Sequence, residues 1–271
     1  MQIEKVFLIP LAPETQRRLY ELGLIDMDRA LHGQGYLERR FPAHSDEAKA
    51  FEESLNAQGV DYWVRDERHF TRKELRSARA LHLDSFHQRP EKALPTLSTE
   101  WDWSEACTEC MRVPSQVGVL EVRAEQTGGR NLIRGRRGEI LVTEKIARRM
   151  IADGISGCLL QEVRVESETT APSPPYYQVV PTHTLPQLAS PPTRFGVTDD
   201  FCHRCGLGGL FLESMLYLSC DDRELQDINV TRELFGEGAQ LSPEVILSPR
   251  FYNLLVSCGV QLDEPEPVLF V

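Results

Sequence analysis

Short apolar strands alternate with amphipathic helical stretches along the N-terminal part of the chain. Strand-like patterns occupy IEKVFLI, GYLERRF and VDYWV, and apolar residues at helical spacing follow each of them, over residues 13–22, 45–57 and 71–83. Ser45 suits the N-cap of the second helix, and Gly59 suits its end. The pattern predicts a small α/β unit over residues 1–98, ended by a proline-containing linker at residues 88–99.

A strand–helix pattern repeats in the rest of the chain. EILVTEKIARRMIADGI begins at residue 139 and EVILSPRFYNLLVSCGV at residue 244, and the two align without a gap. Each has an aliphatic strand, a hydroxyl at the helix N-cap (Thr143 or Ser248), apolar residues at helical spacing and a glycine at the end. Ile146, Met150 and Ile151 align with Phe251, Leu255 and Val256.

The repeat predicts an α+β protein whose second part, residues 99–271, holds two similar CxxC–strand–helix–strand modules over about 99–170 and 193–271. VGVLEVRAE, after the first CxxC pair, has the pattern of a strand. The proline-rich residues 171–192 between the modules should form neither a helix nor a central strand over most of their length.

Two cysteine pairs carry the clearest chemistry. ACTEC places Cys107 and Cys110 three apart, and DDFCHRCG does the same for Cys202 and Cys205. A CxxC turn directs two thiolates to one side of a bend, and two such turns complete a four-sulfur structural zinc site. The alternatives are four thiols without a ligand, a redox pair, or His203 as a substitute ligand.

Other constellations predict structure rather than chemistry. Cys158, Cys220 and Cys258 lie in apolar surroundings and suit a core. GGRNLIRGRRG lacks the Lys–Ser/Thr ending of a phosphate-binding loop, which favours a solvated basic loop. Nucleophile, zinc-hydrolase and paired-carboxylate motifs do not appear in a recognisable context, so we expect no enzyme activity.

Composition sets the environment of the protein. The apolar runs are too short to cross a bilayer, and the first lacks the flanking residues of an export signal. We therefore expect a cytoplasmic protein that does not associate with a membrane and has no structural disulfides. The formal net charge is −11, and the acidity lies in residues 99–271, which carry 15 basic against 25 acidic residues. This charge disfavours nucleic acid and suits a basic protein partner.

The order CTEC, strand–helix unit, proline-rich approach, CHRCG and final strand–helix unit resembles the double-CXXCG motif family of myxobacteria over about residues 99–271. Met111 departs from that motif, which has glycine after the second cysteine. The resemblance implies an immunity protein that binds and neutralises a cognate toxin, with Cys107, Cys110, Cys202 and Cys205 as zinc ligands.

Two other function classes stay open. A zinc-ribbon regulatory or nucleic-acid-binding protein would use the basic segments 65–79 and 128–138 as contacts. An enzyme of unrecognised type would rest on the N-terminal unit, whose role the sequence does not indicate.

Overall fold

The computed structural model describes most of the chain, namely residues 1–26, 35–83, 99–110, 115–135, 137–166, 175–197, 200–221, 224–236, 241–260, 262 and 265–271. These form two compact units, Met1–Thr71 and Arg72–Val271. The division falls earlier than the one we expected near residue 98, because residues 81–83 pair with strands of the second unit. The expected linker at 88–99 lies, apart from Thr99, outside the described residues.

The first unit is a three-stranded antiparallel sheet with two helices. In chain order its elements are β1 (Gln2–Pro10), α1 (Pro13–Glu21), β2 (Tyr36–Pro42), α2 (Asp46–Ala57) and β3 (Trp63–His69). β1 is the central strand, flanked by β2 and β3. The predicted helices at 13–22 and 45–57 are confirmed, whereas the third strand begins three residues later than VDYWV indicates.

The core of the first unit lies between the sheet and its helices. Phe7 on β1 packs edge to face against Phe41 and Phe51, with ring centroids 5.9 and 5.1 Å apart. The Ser45 hydroxyl accepts a hydrogen bond of 3.1 Å from the Ala48 N–H, which confirms the predicted N-cap. Apolar spacing and capping therefore determine this unit locally.

The second unit is richer in strands, which confirms a mixed α+β protein. Its elements are α3 (Arg72–Ser77), β4 (Leu81–Leu83), β5 (Glu100–Asp102), β6 (Ser115–Val117), β7 (Glu121–Arg123), α4 (Ala124–Thr127), β8 (Leu132–Arg134), β9 (Ile140–Thr143), α5 (Glu144–Ala152), β10 (Cys158–Glu162), β11 (Arg164–Glu166), β12 (Tyr176–Pro181), β13 (Phe195–Val197), β14 (Leu210–Leu212), β15 (Tyr217–Leu218), β16 (Ile228–Phe235), β17 (Ser242–Leu247), α6 (Pro249–Ser257), β18 (Glu266–Pro267) and β19 (Leu269–Phe270).

Two four-stranded antiparallel sheets dominate this unit, and their strands correspond. One has the order β8-β9-β12-β10 and the other β16-β17-β4-β18. In each, a hairpin is followed by a helix, and the chain then returns to the outer strand at the far side. The two sheets differ in the strand that lies between the hairpin and the outer strand. In the first sheet this strand is β12, which follows the helix in sequence, and in the second it is β4, which lies far upstream of the hairpin.

The segment at residues 71–83 differs from its prediction, because its last three residues form β4 of the second sheet. We expected one helix, but the helix covers only Arg72–Ser77 and β4 follows it. Every residue of β4 is buried, since the strand pairs with β17 on one side and β18 on the other. A three-residue strand of this kind is stabilised by its distant neighbours rather than by its own pattern.

The proline-rich segment also contains an exception to our expectation. Tyr176–Pro181 is a central strand between β9 and β10. The stretch YYQVV has no proline, so its N–H groups can serve both ladders, and Pro181 stands at the strand end where a missing N–H is tolerated. The single strand expected from VGVLEVRAE is instead divided into β6 and β7, and Gly118 between them has a φ of +71°.

The two predicted strand–helix repeats meet in one apolar core. Ile146 and Met150 of α5 are buried in the same cluster as Phe251 and Leu255 of α6. The repeat partners Ile151 and Val256 are both exposed, at 70% and 46%. Aligned positions therefore share the same burial, as helical periodicity requires.

The two N-caps of the repeat behave differently. Ser248 Oγ accepts a hydrogen bond of 3.1 Å from the Phe251 N–H, which confirms the predicted cap. Thr143 occupies the N-cap position of α5, but its hydroxyl caps nothing and has no hydrogen-bond partner. The predicted hydroxyl cap is therefore wrong at Thr143.

Asp227 joins the two repeats through its buried carboxylate. One oxygen accepts from the Ser248 hydroxyl at 2.6 Å, at the start of α6. The other accepts from the Ser156 N–H at 3.0 Å, just after α5, and from Arg250 at 3.2 Å.

Within the described part of the chain, the helices are all too short or too polar to cross a bilayer.

Candidate metal centre

Each cysteine pair lies in the loop of a β-hairpin, and the two hairpins have the same construction. The first hairpin pairs β5 with β6, and the second pairs β13 with β14. In both, the first cysteine comes five positions after the end of the first strand (102 to 107, 197 to 202), and the next strand begins five positions after the second cysteine (110 to 115, 205 to 210). The hairpins therefore correspond at an offset of 95 residues.

The fold brings all four predicted ligands together. The sulfurs of Cys107 and Cys202 are 3.9 Å apart, and those of Cys110 and Cys205 are 3.6 Å apart. All four sulfurs lie within 4.8 Å of one another. Zinc–sulfur bonds of about 2.3 Å place the corners of a ZnS₄ tetrahedron about 3.8 Å apart. The cluster therefore has the size of a four-thiolate metal site and can hold one ion.

Backbone amides around the first pair favour the thiolate form. The N–H groups of Cys110 and then Glu109 donate to the Cys107 sulfur and, with the neighbouring thiols, lower the pKa of Cys107 to about 6. Burial raises the pKa of Cys205, the opposite direction. Because a thiolate is the form that ligates metals, Cys107 is prepared for binding at neutral pH.

The second pair sits in a tight turn that glycine permits. Gly206 follows Cys205 with a φ of +68°, and its N–H donates to the Cys202 carbonyl at 2.8 Å. The Cys202 N–H in turn donates to the Leu207 carbonyl at 2.9 Å. The left-handed residue closes the turn while leaving both sulfurs on its inner side. Met111, the corresponding position of the first pair, lies outside the described residues.

The remaining candidates lie elsewhere. His203 is exposed, and its ring contacts Phe201 at 5.4 Å instead of joining the sulfurs. Cys158 and Cys258 pack with the core shared by α5 and α6. Burial, with a contribution from the negative charge of Asp227, raises the pKa of Cys158 to about 11. Among the described residues, the group that could hold a metal ion therefore consists of the four CxxC cysteines.

Cysteine spacing predicted the sulfur cluster, whereas three buried acidic residues became apparent only from the fold. Asp227, Glu139 and Glu244 are acidic residues that the fold buries. Nothing in their local sequence separates them from exposed carboxylates. The 95-residue offset of the hairpins was available in the sequence, since it equals the spacing between the cysteine pairs.

Comparisons with known proteins return no family for this chain. No protein-family model matches it, and no curated protein matches it.

Proposed function

We propose that Cys107, Cys110, Cys202 and Cys205 bind one structural Zn²⁺ and thereby join two similar CxxC–strand–helix–strand modules. The sulfur cluster carries this proposal, because its dimensions suit a tetrahedral four-thiolate site. Four protein ligands leave no open position on the ion, so the site supplies stability rather than catalysis. Tetrahedral four-sulfur sites take zinc or iron, so the identity of the metal needs a direct test.

Metal analysis of the full chain, purified without added metal, tests the site. We expect about one zinc per chain. Cys202→Ser combined with Cys205→Ser should lose the metal, whereas Cys158→Ala, outside the cluster, should retain it. Iron in place of zinc would overturn the identity of the ion. If the wild-type chain is purified without any bound metal and its four CxxC thiols react freely with a thiol reagent, the proposal of a metal site is wrong.

We further propose that the protein is a toxin-neutralising immunity protein that acts in the cytoplasm and has no enzyme activity. If the four cysteines form a structural metal site, they stabilise the fold, and the toxin would be bound by the surrounding surface. The sequence of this part of the chain is acidic, with 25 acidic and 15 basic residues over 99–271, which suits a basic partner. That this partner is a toxin follows only from the resemblance to the double-CXXCG family, which rests on the order of the sequence motifs.

The alternative of nucleic-acid binding is less well supported, since three arginines of the expected contact segments contact other groups of the chain. Arg79 stacks over the Phe270 ring at 3.7 Å. Arg134 is buried and donates to the Leu83 carbonyl at 3.2 Å, and Arg137 stacks over Trp101 at 4.5 Å. Side chains used in this way are not available as a row of phosphate contacts.

Binding of the purified chain to proteins encoded beside its gene tests the immunity function. We expect one of them to form a complex whose association slows with salt. Reversing three exposed carboxylates of the first cysteine hairpin (Glu100, Glu105 and Glu109 to Lys) should slow association about tenfold.

A matched control separates a local contact from net charge. Reversing three exposed carboxylates of the first unit (Glu14, Glu21 and Glu47 to Lys) changes the total charge equally. A smaller effect from this variant would place the partner on the cysteine-bearing unit. If no neighbouring gene product binds the wild-type chain, the immunity proposal is wrong.

A further inference from the structure

The sulfur cluster brings together equivalent cysteines of the two hairpins. Cys107 and Cys202 are each the first cysteine of a CxxC pair, and their sulfurs are 3.9 Å apart. Cys110 and Cys205 are each the second, and their sulfurs are 3.6 Å apart. Both contacts therefore run between the hairpins and join matching positions, 95 residues apart in the chain.

These two contacts are close to the geometry of a disulfide. An S–S bond is about 2.05 Å long, so the sulfurs of each contact would have to approach by about 2 Å or less. The cysteines lie in the hairpin loops, beyond the paired residues 100–102 and 115–117 of the first hairpin and 195–197 and 210–212 of the second. Rotation of side chains in the loops can supply this movement without a shift in either ladder.

Both contacts include a cysteine that is not fully buried. Cys107, Cys110 and Cys205 are half-buried, whereas Cys202 is 7% exposed. A small oxidant therefore has access to Cys107 in one contact and to both cysteines in the other. When one sulfur of a contact is oxidised, the second lies close enough to attack it.

We propose that the four CxxC cysteines are a site of reversible oxidation, at which a hydroperoxide links the two hairpins through the disulfides Cys107–Cys202 and Cys110–Cys205. The proposal rests on the proposed metal site only for the release of the ion, because the contacts between the sulfurs are present without it.

Each disulfide consumes one molecule of hydroperoxide. With hydrogen peroxide, a thiolate sulfur attacks one oxygen, the O–O bond breaks, and the sulfur becomes a sulfenic acid while the other oxygen leaves as hydroxide. The sulfur of the contacting cysteine then attacks the sulfenic sulfur, the S–S bond forms, and the S–O bond breaks. The two sulfurs lose one electron each, and protonation converts both oxygens of the peroxide to water. A zinc ion whose four thiolate ligands react in this way is released as Zn²⁺.

The choice of sulfurs determines what oxidation does to the fold. A disulfide within each CxxC pair would release the metal and leave the hairpins unconnected. Disulfides between the hairpins also release the metal, but they replace it with covalent links at the same place. The second unit therefore keeps the connection between its hairpins under oxidising conditions, and reduction by a dithiol restores the thiolates.

Peptide mapping of the full chain after treatment with hydrogen peroxide identifies the disulfides. Glu109 separates the cysteines of the first pair and Arg204 those of the second, so cleavage after glutamate and after arginine places each of the four cysteines in its own peptide. We expect mass spectrometry of the unreduced peptides to find the two first cysteines linked to each other, and the two second cysteines likewise. A chromogenic zinc chelator should report release of the metal at the rate of thiol loss, and dithiothreitol should restore the thiols.

Two double variants with the same number of cysteines test the contacts themselves. Cys107→Ser with Cys202→Ser leaves the second cysteine of each hairpin, whose sulfurs are 3.6 Å apart. Cys107→Ser with Cys205→Ser is the matched control, because it leaves Cys110 and Cys202, which belong to different contacts. The first variant should form its disulfide about fivefold faster than the control, since the sulfurs must meet in disulfide geometry. If either variant fails to fold, the mapping of the wild type decides.

Three results would overturn the proposal. One is a pair of disulfides within the CxxC pairs of the wild type. Another is four thiols that peroxide leaves unoxidised or converts to sulfinic acid without forming disulfides. The third is an equal rate of disulfide formation in the two double variants.

These outcomes are separate from the outcome for the metal. A chain purified without metal that forms the two disulfides between the hairpins would contradict the zinc proposal and support this one. A chain that contains zinc and forms no disulfide between the hairpins would do the reverse.

Discussion

At the scale of single residues, Gly157 shows most clearly how the second unit constrains its chain. Its φ is +82°, and a Cβ at this position would overlap the carbonyl oxygen of Ile228. On either side, the Ile228 N–H donates to the Ser156 carbonyl, and the Gly157 carbonyl accepts from the Thr182 N–H. The backbones of three segments therefore cross here without room for a side chain.

Gly157→Ala should lower the free energy of unfolding by at least about 2 kcal/mol, because the left-handed backbone and the clash with a backbone oxygen both oppose a Cβ. Gly129→Ala is the control, since Gly129 has a φ of +66° and a Cβ added there would meet no atom within 4 Å. It should cost about 1 kcal/mol. Chemical denaturation of both variants measures the difference, and equal costs would contradict the crossing.

Residue chemistry was predictable where a short motif defines it. The four cysteines and the Ser45 and Ser248 caps follow from local spacing. Thr143 has the same sequence context as Ser248, yet its hydroxyl is buried without a partner. That difference depends on how the surrounding strands pack, which the local sequence does not encode.

At the scale of elements, the repeat is the informative feature. The strand–helix units were recognisable because their apolar positions have the same period, and aligned positions are indeed buried or exposed together. β4 was not recognisable, because three residues cannot establish a period. Its place between β17 and β18 is fixed by pairing with residues more than 150 positions downstream (83 to 245).

The link between the two repeat helices depends on Asp227. Its carboxylate accepts from Ser156 after α5 and from Ser248 at the start of α6, and the residue is only 7% exposed. Asp227→Ala should therefore destabilise the protein by about 2–4 kcal/mol, since buried donors on both sides lose their acceptor. Thermal unfolding measures this loss.

Asp153→Ala is the matched control for Asp227→Ala. Asp153 forms an exposed i,i+4 ion pair with Arg149, a kind of pair that contributes little. This variant should change the free energy of unfolding by about 0.5 kcal/mol or less. A loss at Asp227 no larger than the loss at Asp153 would show that the carboxylate does not join the two helices.

At the scale of the whole molecule, the sulfur cluster links parts of the second unit that are held to different sheets. The first cysteine hairpin is fixed to β12 through Gln116 and Gln178. The second is fixed to the end of β16, where the Gly236 N–H donates to the Leu210 carbonyl and the Gly236 carbonyl accepts from the Gly209 N–H. A metal at the cluster therefore closes a connection between the two four-stranded sheets, beyond their shared apolar core.

Removal of the metal should therefore destabilise the second unit and leave the first unit unchanged. Structural zinc sites contribute of order 10 kcal/mol to the state that binds them, so a chelator should raise amide hydrogen exchange in both cysteine hairpins and in the adjoining strands. The strands β1, β2 and β3 have their own apolar core in a separate compact unit, and their exchange should stay unchanged. Mass spectrometry of the full chain resolves these segments.

The combined Cys202→Ser and Cys205→Ser variant supplies the control for this experiment. Without a chelator it should already exchange as the chelated wild type does, and the chelator should add nothing, since both treatments remove the same ion. An equal rise in exchange over both units would mean that the chain unfolds as one body. No rise in the hairpins would mean that the thiol cluster stabilises them without a metal, because sulfurs already about 4 Å apart would then be held by the hairpin contacts alone.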